Sequence, residues 1–134
     1  MNDTKILVID DNQFILWLIR DILHKHGYRI MTASSGREGL RIAHRETPDL
    51  IILDRILRDI SGDTVLEHLK DHEDTRHVPI AMLSSVNDRE RVMESWSKGA
   101  NDYIVKPFTI NTLTEKVRRM LAIYDQGNQK YYFV

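Results

Sequence analysis

Short apolar runs alternate along the chain with longer segments in which apolar residues recur at helical spacing. Five runs have the length of β-strands, and they cover residues 6–9, 28–32, 50–53, 80–83 and 103–105. Three of these runs are apolar throughout, which is typical of strands covered on both faces in a parallel sheet. The helical spacing predicts five helices, over residues 12–26, 36–46, 62–71, 88–98 and 110–124.

Strand and helix alternate five times, and this order predicts right-handed crossovers in a three-layer, doubly wound α/β domain. Residues typical of helix ends stand at the expected places. Ser35 and Glu38 have the spacing of a capping box at the start of the second helix. Gly27 and Gly99 follow the first and fourth helices, where glycine adopts the left-handed conformation at low cost.

Composition narrows the class of protein. A chain of 134 residues with 42% hydrophobic and 29% charged residues has the make-up of one globular domain. The 19 basic and 20 acidic residues leave a formal net charge of −1, which offers no basic patch for nucleic acid or an anionic membrane. The chain has no cysteine, so disulfides, zinc–thiolate sites and cysteine nucleophiles are excluded. No apolar run could span a bilayer and no signal segment is evident, so we expect a cytoplasmic protein.

Polar residues follow four of the five predicted strands, at the edge of the sheet where open α/β proteins bind ligands. They are Asp10 and Asp11 after the first strand, Asp54 after the third, Ser84 and Ser85 after the fourth, and Lys106 after the fifth. Each close pair of carboxylates repels by about 4 kcal/mol at an effective dielectric near 20, so three of them require protons or a cation. Hard oxygen ligands of this kind suit Mg²⁺ or Mn²⁺.

The same groups suit phosphoryl transfer, which needs an oxygen nucleophile, positioning and neutralisation of charge. Lys106 can hold one phosphate oxygen and Ser84 can donate to another. Each residue also has an ordinary structural use, since Asp10, Asp11 or Asn12 could cap the first helix. Compatible groups at four strand ends nevertheless favour a functional site over four unrelated structural roles.

These motifs resemble the receiver domain of bacterial two-component response regulators, over residues 4–124. The matching segments are the acidic pair that ends 6–11, the run 48–54 that ends in Asp54, the run 79–85 with its hydroxyls, and 99–108 with Tyr103 and the Lys-Pro pair. The resemblance implies a flavodoxin-like (βα)5 fold whose parallel five-stranded sheet has the order 2-1-3-4-5. It also implies a receiver domain over residues 1–124, followed by a tail or the start of a linker over 125–134.

The resemblance further implies that Asp54 is the phospho-acceptor, receiving its group from the phosphohistidine of a sensor histidine kinase, from a phosphotransfer protein or from a small phosphodonor. Asp11, Asp54 and the backbone carbonyl of Ile56 would bind Mg²⁺, and Asp10 would act through water. Such a protein assists its own phosphorylation and dephosphorylation and does not turn over an external substrate.

A second group of residues would respond to the phosphoryl group in proteins of this kind. Lys106, Ser84, Ser85 and Tyr103 would bind it or move with it, and the Lys106–Pro107 peptide bond would be cis. The surface formed by the fourth helix, fifth strand and fifth helix would then change its affinity for a protein partner or for an output domain outside this chain. The resemblance allows a monomer or a phosphorylation-dependent homodimer, with no direct contact to nucleic acid or membrane.

Several positions depart from the usual pattern of the family. Ser84 stands where threonine is commoner, and Arg58 replaces a frequent proline, which would soften its loop. Arg55 adds positive charge beside the acceptor. The rim residues Ile56 and Val86 are apolar and cannot orient an attacking water, which predicts slow self-dephosphorylation.

Two other functions stay open on the sequence: a receiver-like interaction module that is not phosphorylated, and a phosphatase of the haloacid dehalogenase type. The phosphatase motif is Asp-x-Asp after the first strand, whereas this chain has adjacent aspartates. His68 and His72 have a spacing that can chelate zinc, but no third ligand lies nearby in sequence, which favours a solvated helix face. Trp17 and Trp96 lie on apolar stripes and are predicted to pack in the core.

Overall fold

The computed structural model describes residues 3–85 and 89–124, and for residues 89 and 90 it describes the backbone alone. The predicted tail over 125–134 and the rim residue Val86 lie outside the described residues. Within the described part of the chain, no helix combines the length and the apolar character that crossing a membrane requires.

Five strands and five helices alternate along the chain. They are β1 (Lys5–Ile9), α1 (Gln13–His24), β2 (Arg29–Ala33), α2 (Gly36–Glu46), β3 (Leu50–Asp54), α3 (Gly62–Asp71), β4 (Ile80–Ser85), α4 (Arg89–Ser97), β5 (Asp102–Lys106) and α5 (Ile110–Ile123). Every predicted element is present, and the predicted bounds of α2 and α3 are those observed. The other elements differ from their predicted bounds by one or two residues at an end.

The strands form one sheet of order β2-β1-β3-β4-β5 in which every neighbouring pair is parallel. This confirms the predicted fold class and strand order. Because the strands are parallel, their carboxyl ends meet at one edge of the sheet. β1 and β3 are neighbours there, and β4 separates β3 from β5.

The alternating side chains of each strand divide the core into two layers. On one face, residues such as Leu7 and Ile9 pack with α2 and α3; on the other, Ile6 and Val8 pack with α1 and α5. All five residues of β3 are buried, as expected for a central strand covered on both faces. The sheet is therefore a rigid frame for the loops at its carboxyl edge.

The capping residues at the helix ends agree with those predicted from the sequence, except for one hydrogen bond of the capping box at the start of α2. The side chain of Ser35 accepts a hydrogen bond from the Glu38 N–H (3.1 Å), as a capping box requires, but the Glu38 carboxylate accepts from the N–H of Ser34 (2.7 Å). Gly27 and Gly99 have φ values of 91° and 106°, the left-handed region predicted for them.

Both tryptophans depart from their predicted place in the core. Trp17 is 52% exposed and Trp96 is 46% exposed. The core-facing stripe of α1 is formed instead by buried aliphatic residues; they are Leu16, Ile19, Ile22 and Leu23. The Trp17 ring stacks on exposed Phe14, and the Trp96 ring packs against Tyr103.

The loop between β3 and α3 closes tightly on itself. The Gly62 N–H donates to the carbonyl oxygen of Arg55 (2.9 Å). A Cβ atom at Gly62 would collide with the carbonyl oxygen of Asp54 and lie 2.7 Å from the Cα of Arg55. Only glycine allows α3 to begin this close to the end of β3.

Candidate functional site

The first turn of α1 is capped by Asn12 and not by either of the acidic residues before it. The side chain of Asn12 accepts hydrogen bonds from the N–H groups of Phe14 (2.9 Å) and Ile15 (3.2 Å), so Asn12 is the N-cap. Asp10 and Asp11 are therefore not the cap of this helix. Asp10 instead accepts from the Asn12 N–H (2.9 Å) and is fully buried at the end of β1.

Lys106, at the end of β5, reaches across to two carboxylates on other strands. Its Nζ lies 3.0 Å from Oδ2 of Asp54 and 3.4 Å from Oδ2 of Asp10. The other oxygen of Asp54 accepts from the N–H of Ile56 (3.1 Å). The ammonium group therefore joins the ends of β1, β3 and β5.

Asp11 completes a cluster of three carboxylates. One oxygen each from Asp10, Asp11 and Asp54 lies within 4.8 Å of the others. Oδ2 of Asp11 accepts from the backbone N–H of Arg58 (3.1 Å), and the Arg58 Nε lies 3.5 Å from the same oxygen. Proline at position 58 could not donate this hydrogen bond, so Arg58 gives the β3–α3 loop an additional contact with the acidic pair.

The cluster carries more negative charge than Lys106 can balance. Burial, followed by the neighbouring charge of Asp54, raises the pKa of Asp10 from 3.8 to about 6, although the Asn12 hydrogen bond acts in the opposite direction. Burial lowers the pKa of Lys106, but the hydrogen bond and charge of Asp54 outweigh it, so this pKa is raised overall. Oxygen ligands at this spacing with a deficit of positive charge fit a small divalent cation.

The predicted switch residues lie on β4, which is next to β3, and on β5 beyond it. Ser84 is buried one residue beyond Leu83, the partner of Asp54 in the sheet, and its hydroxyl lies 3.4 Å from the carbonyl oxygen of Ser85. Ser85 is exposed and pairs with Lys106 in the β4–β5 ladder. The Lys106–Pro107 peptide bond is cis.

Tyr103 points away from the solvent. Its side chain is buried, and its hydroxyl donates to the carbonyl oxygen of Val92 on α4 (2.7 Å). Ser84 and Tyr103 therefore occupy neighbouring strands, and Tyr103 connects β5 directly to α4.

The sequence did not reveal a buried cluster that begins at Arg55, the residue after Asp54. Arg55 turns away from Asp54, and its Nη2 contacts Oδ2 of Asp63 on α3 (3.2 Å). Oδ1 of Asp63 accepts from the hydroxyl of Ser95 on α4 (2.7 Å). All three residues are buried, so the positive charge expected beside Asp54 is paired beneath α3 and α4.

A comparison with protein families identifies the class of this chain. The family profile of the response regulator receiver domain matches residues 6–118. The chain belongs to this family, whose members act in two-component signalling rather than as enzymes that turn over a substrate. Receiver domains of response regulators interact with histidine kinases and with output domains.

Individual relatives agree with this assignment. The chain is 34% identical over 122 residues to the DNA-binding dual master transcriptional regulator RpaA of Synechocystis sp., covering 91% of this chain and 51% of RpaA. It is 32% identical over 120 residues to the polar-differentiation response regulator DivK of Brucella ovis, covering 87% of this chain and 95% of DivK. The structure of the chemotaxis protein CheY4 of Vibrio cholerae has a TM-score of 0.85 and 30% identity, with 90% of this chain and all of CheY4 covered.

The relatives differ in length. The chain spans about half the length of RpaA and of the other transcriptional regulators it matches, whereas it covers nearly all of DivK and CheY4. The receiver unit is therefore the part that this chain shares with all of them.

Proposed function

We propose that Asp54 is the phospho-acceptor of a phosphorylation-controlled switch. The observation that carries the proposal is the contact of Lys106 with Asp54, within a cluster of three carboxylates at the carboxyl edge of the sheet. The donor is the phosphohistidine of a sensor histidine kinase or of a phosphotransfer protein. The location consistent with such a partner is the cytoplasm.

In the transfer, a carboxylate oxygen of Asp54 attacks the phosphorus atom of the donor. The new P–O bond forms an acyl phosphate as the P–N bond breaks, and the leaving imidazole nitrogen keeps the electron pair and takes a proton. Asp54 is only 7% exposed, so most of its side chain is shielded from solvent. Lys106 holds the carboxylate before transfer and an oxygen of the phosphoryl group afterwards.

The donor set fits Mg²⁺ or Mn²⁺. Asp11 and Asp54 would hold the ion directly with the backbone carbonyl of Ile56, and Asp10 would act through a water molecule. When bound, the ion neutralises the carboxylates and the phosphoryl oxygens. The raised pKa of Asp10 supports this assignment, because burial and the charge of Asp54 oppose its ionisation and a bound cation would favour it.

Ser84, Ser85 and Tyr103 are proposed to pass the change to the surface formed by α4, β5 and α5. Tyr103 is suited to this role because its hydroxyl bonds to α4. The surface carries exposed apolar side chains that a partner could cover; they are Met93, Trp96, Val105 and Ile110. Couplings of this type are worth about 1–3 kcal/mol, enough to change partner affinity several-fold to a hundred-fold.

The recipient of the signal is a protein, either a downstream partner or an output domain outside this chain. The balanced charge of the chain supports a protein partner over direct contact with nucleic acid. The proposal allows a monomer or a homodimer that forms on phosphorylation.

Intact-mass spectrometry after incubation with acetyl phosphate tests the proposal. We expect one added phosphoryl group that requires Mg²⁺ and is absent from Asp54→Asn. The matched control is Asp71→Asn, which removes an exposed carboxylate at the end of α3 and should keep the adduct. Absence of both the adduct and beryllofluoride binding would instead favour an interaction module that is not phosphorylated.

The lifetime of the adduct tests the predicted role of the rim residues. Ile56 is 63% exposed beside the acceptor and offers no group that could orient water. We therefore propose slow loss of the label from purified protein. Substitution of Ile56 by glutamine or asparagine should shorten the lifetime of the phosphoryl group. Equal lifetimes in the variant and the wild type would show that the Ile56 side chain does not control dephosphorylation.

A further inference from the structure

A third histidine meets the two that the sequence places on α3. His44 lies on α2, and its ring centroid is 5.4 Å from that of His68 and 5.2 Å from that of His72. One ring nitrogen from each of the three lies within 4.8 Å of the others. The missing third ligand is therefore supplied by packing of α2 against α3, on the opposite side of β4 from the α4–β5–α5 surface.

The spacing suits a single metal ion. Nε2 of His44 and Nε2 of His68 are 3.2 Å apart. Two nitrogen ligands at about 2.0–2.1 Å from a tetrahedral zinc ion are separated by about 3.3 Å. His68 and His72 are one helical turn apart, and His72 is exposed, so a rotation of its side chain can bring the third nitrogen to the ion.

Two of the three rings already have the outer partners that metal-binding histidines need. Nδ1 of His44 donates to Oδ2 of Asp74 (2.8 Å), and Nδ1 of His72 donates to the backbone carbonyl oxygen of His68 (2.7 Å). Both bonds place the proton on Nδ1 and leave Nε2 with a free electron pair. Carboxylate and carbonyl partners of this kind fix the tautomer and orientation of zinc-binding histidines.

We propose that His44, His68 and His72 form a binding site for Zn²⁺ or a similar divalent transition ion, with Asp74 as the outer partner of His44. Three imidazoles leave the fourth position of a tetrahedral ion for water or an external ligand. The ion would join α2 to α3. This site differs from the carboxylate cluster in its chemistry as well as in its position. Zn²⁺ and similar transition ions bind well to imidazole nitrogen, whereas Mg²⁺ prefers oxygen ligands. The proposal does not depend on the phosphorylation proposed above.

The opening beside the histidines can admit an ion. A shallow cavity of about 620 Å³ is lined by His44, His68 and Leu40 together with three arginines of α2, which are Arg37, Arg41 and Arg45.

The test is a titration of the full chain with Zn²⁺ in excess Mg²⁺, followed by calorimetry, with Co²⁺ as a spectroscopic probe of nitrogen coordination. We expect one equivalent to bind, with the visible absorption of four-coordinate Co²⁺. His44→Gln and His72→Gln should lose this binding, and the His72 variant should keep the fold because this side chain is exposed. Asp74→Asn should weaken binding by about 10–100-fold, as loss of an outer partner does.

Two controls separate this site from other metal-binding groups. His24→Gln removes an exposed histidine on α1, and Asp11→Asn disables the carboxylate cluster; both should bind Zn²⁺ like the wild type. Binding that survives both His44→Gln and His72→Gln, binding that disappears with Asp11→Asn, or no binding at all would overturn the proposal. None of these results would bear on the phosphorylation of Asp54, which is measured separately.

Discussion

Asp54 and Arg55 are neighbours on the chain, yet the ion pairs that they form differ in almost every physical respect. Asp54 pairs with Lys106 at the edge of the sheet, where the lysine side chain is 27% exposed and two more carboxylates stand nearby. Arg55 pairs with Asp63 beneath α3, where the two side chains are 7% and 10% exposed. Successive residues of a strand point to opposite faces, so one step along the chain separates the two environments.

The comparison teaches which pair is suited to chemistry. At the Asp54 pair the charges do not balance, and the carboxylates remain available to a cation and a phosphoryl group. At the Arg55 pair the charges balance, and Ser95 satisfies the second oxygen of Asp63. The Nε of Arg55 is buried and has no hydrogen-bond partner among the described residues. The Arg55 guanidinium therefore depends on Asp63 to offset the cost of burying its charge.

The largest effect on stability is expected at the buried pair. Asp63→Ala would leave the Arg55 guanidinium buried without a counter-charge, which costs about 3–5 kcal/mol of the free energy of unfolding. Urea unfolding followed by circular dichroism measures this. The double variant Arg55→Met/Asp63→Leu removes both charges and should recover most of the loss. If the free energy of unfolding of Asp63→Ala lay within about 1 kcal/mol of the wild-type value, the pair would contribute no more than an exposed ion pair does.

A smaller effect, with the opposite sign, is expected at the carboxylate cluster. The pKa of Asp10 is raised to about 6 in the folded protein, so the folded state binds this proton more tightly than the unfolded chain. The stability that this proton confers is complete below about pH 4 and is lost as the pH rises through about 6. Asp10→Asn should therefore stabilise the metal-free protein by roughly 1–3 kcal/mol at pH 7.

Unfolding in the presence of a chelator, measured from pH 4 to pH 8, checks the sign of this effect. The gain from Asp10→Asn should shrink as the pH falls, and saturating Mg²⁺ should reduce it at pH 7. Asp71→Asn serves as the control, because its exposed carboxylate lies outside the cluster. A gain that does not change with pH would mean that the burial of Asp10 does not govern its titration.

The smallest effect is expected at an ion pair that belongs to neither region. Glu115 and Arg118 lie 2.7 Å apart on α5, and both side chains are about two-thirds exposed. Because solvent screens such a pair and its side chains lose rotamer freedom, Glu115→Gln should leave the urea midpoint unchanged within error. A clear shift of that midpoint would show that α5 depends on surface charge more than its packing suggests.

The sequence predicted the carboxylate cluster because its geometry follows from topology. Residues that end parallel strands must meet at one edge, so the order of the elements is enough to place Asp10, Asp54 and Lys106 together. The contact between Arg55 and Asp63 depends on how α3 sits against the end of β3, which periodicity does not specify. The same holds for His44, whose contact with α3 depends on the rotation of two helices about their axes.

The wrong prediction that the two tryptophans are buried has a related cause. Apolar residues cover more of α1 than its core-facing stripe needs, and periodicity does not tell which of them are left outside. Trp17 follows directly after buried Leu16, so a turn of about 100° carries it from the core to the surface. Size and hydrophobicity alone therefore do not predict burial at the edge of an amphipathic stripe.

The contact of Gly62 with the end of β3 has a genetic consequence. Every missense change of a glycine codon adds at least a Cβ atom, and here that atom would meet the backbone of Asp54 and of Arg55, which follows it. No single substitution at this codon is therefore expected to have only a small effect on the fold. In a population of variants we expect position 62 to behave as all or nothing, while nearby exposed positions such as Thr64 drift freely.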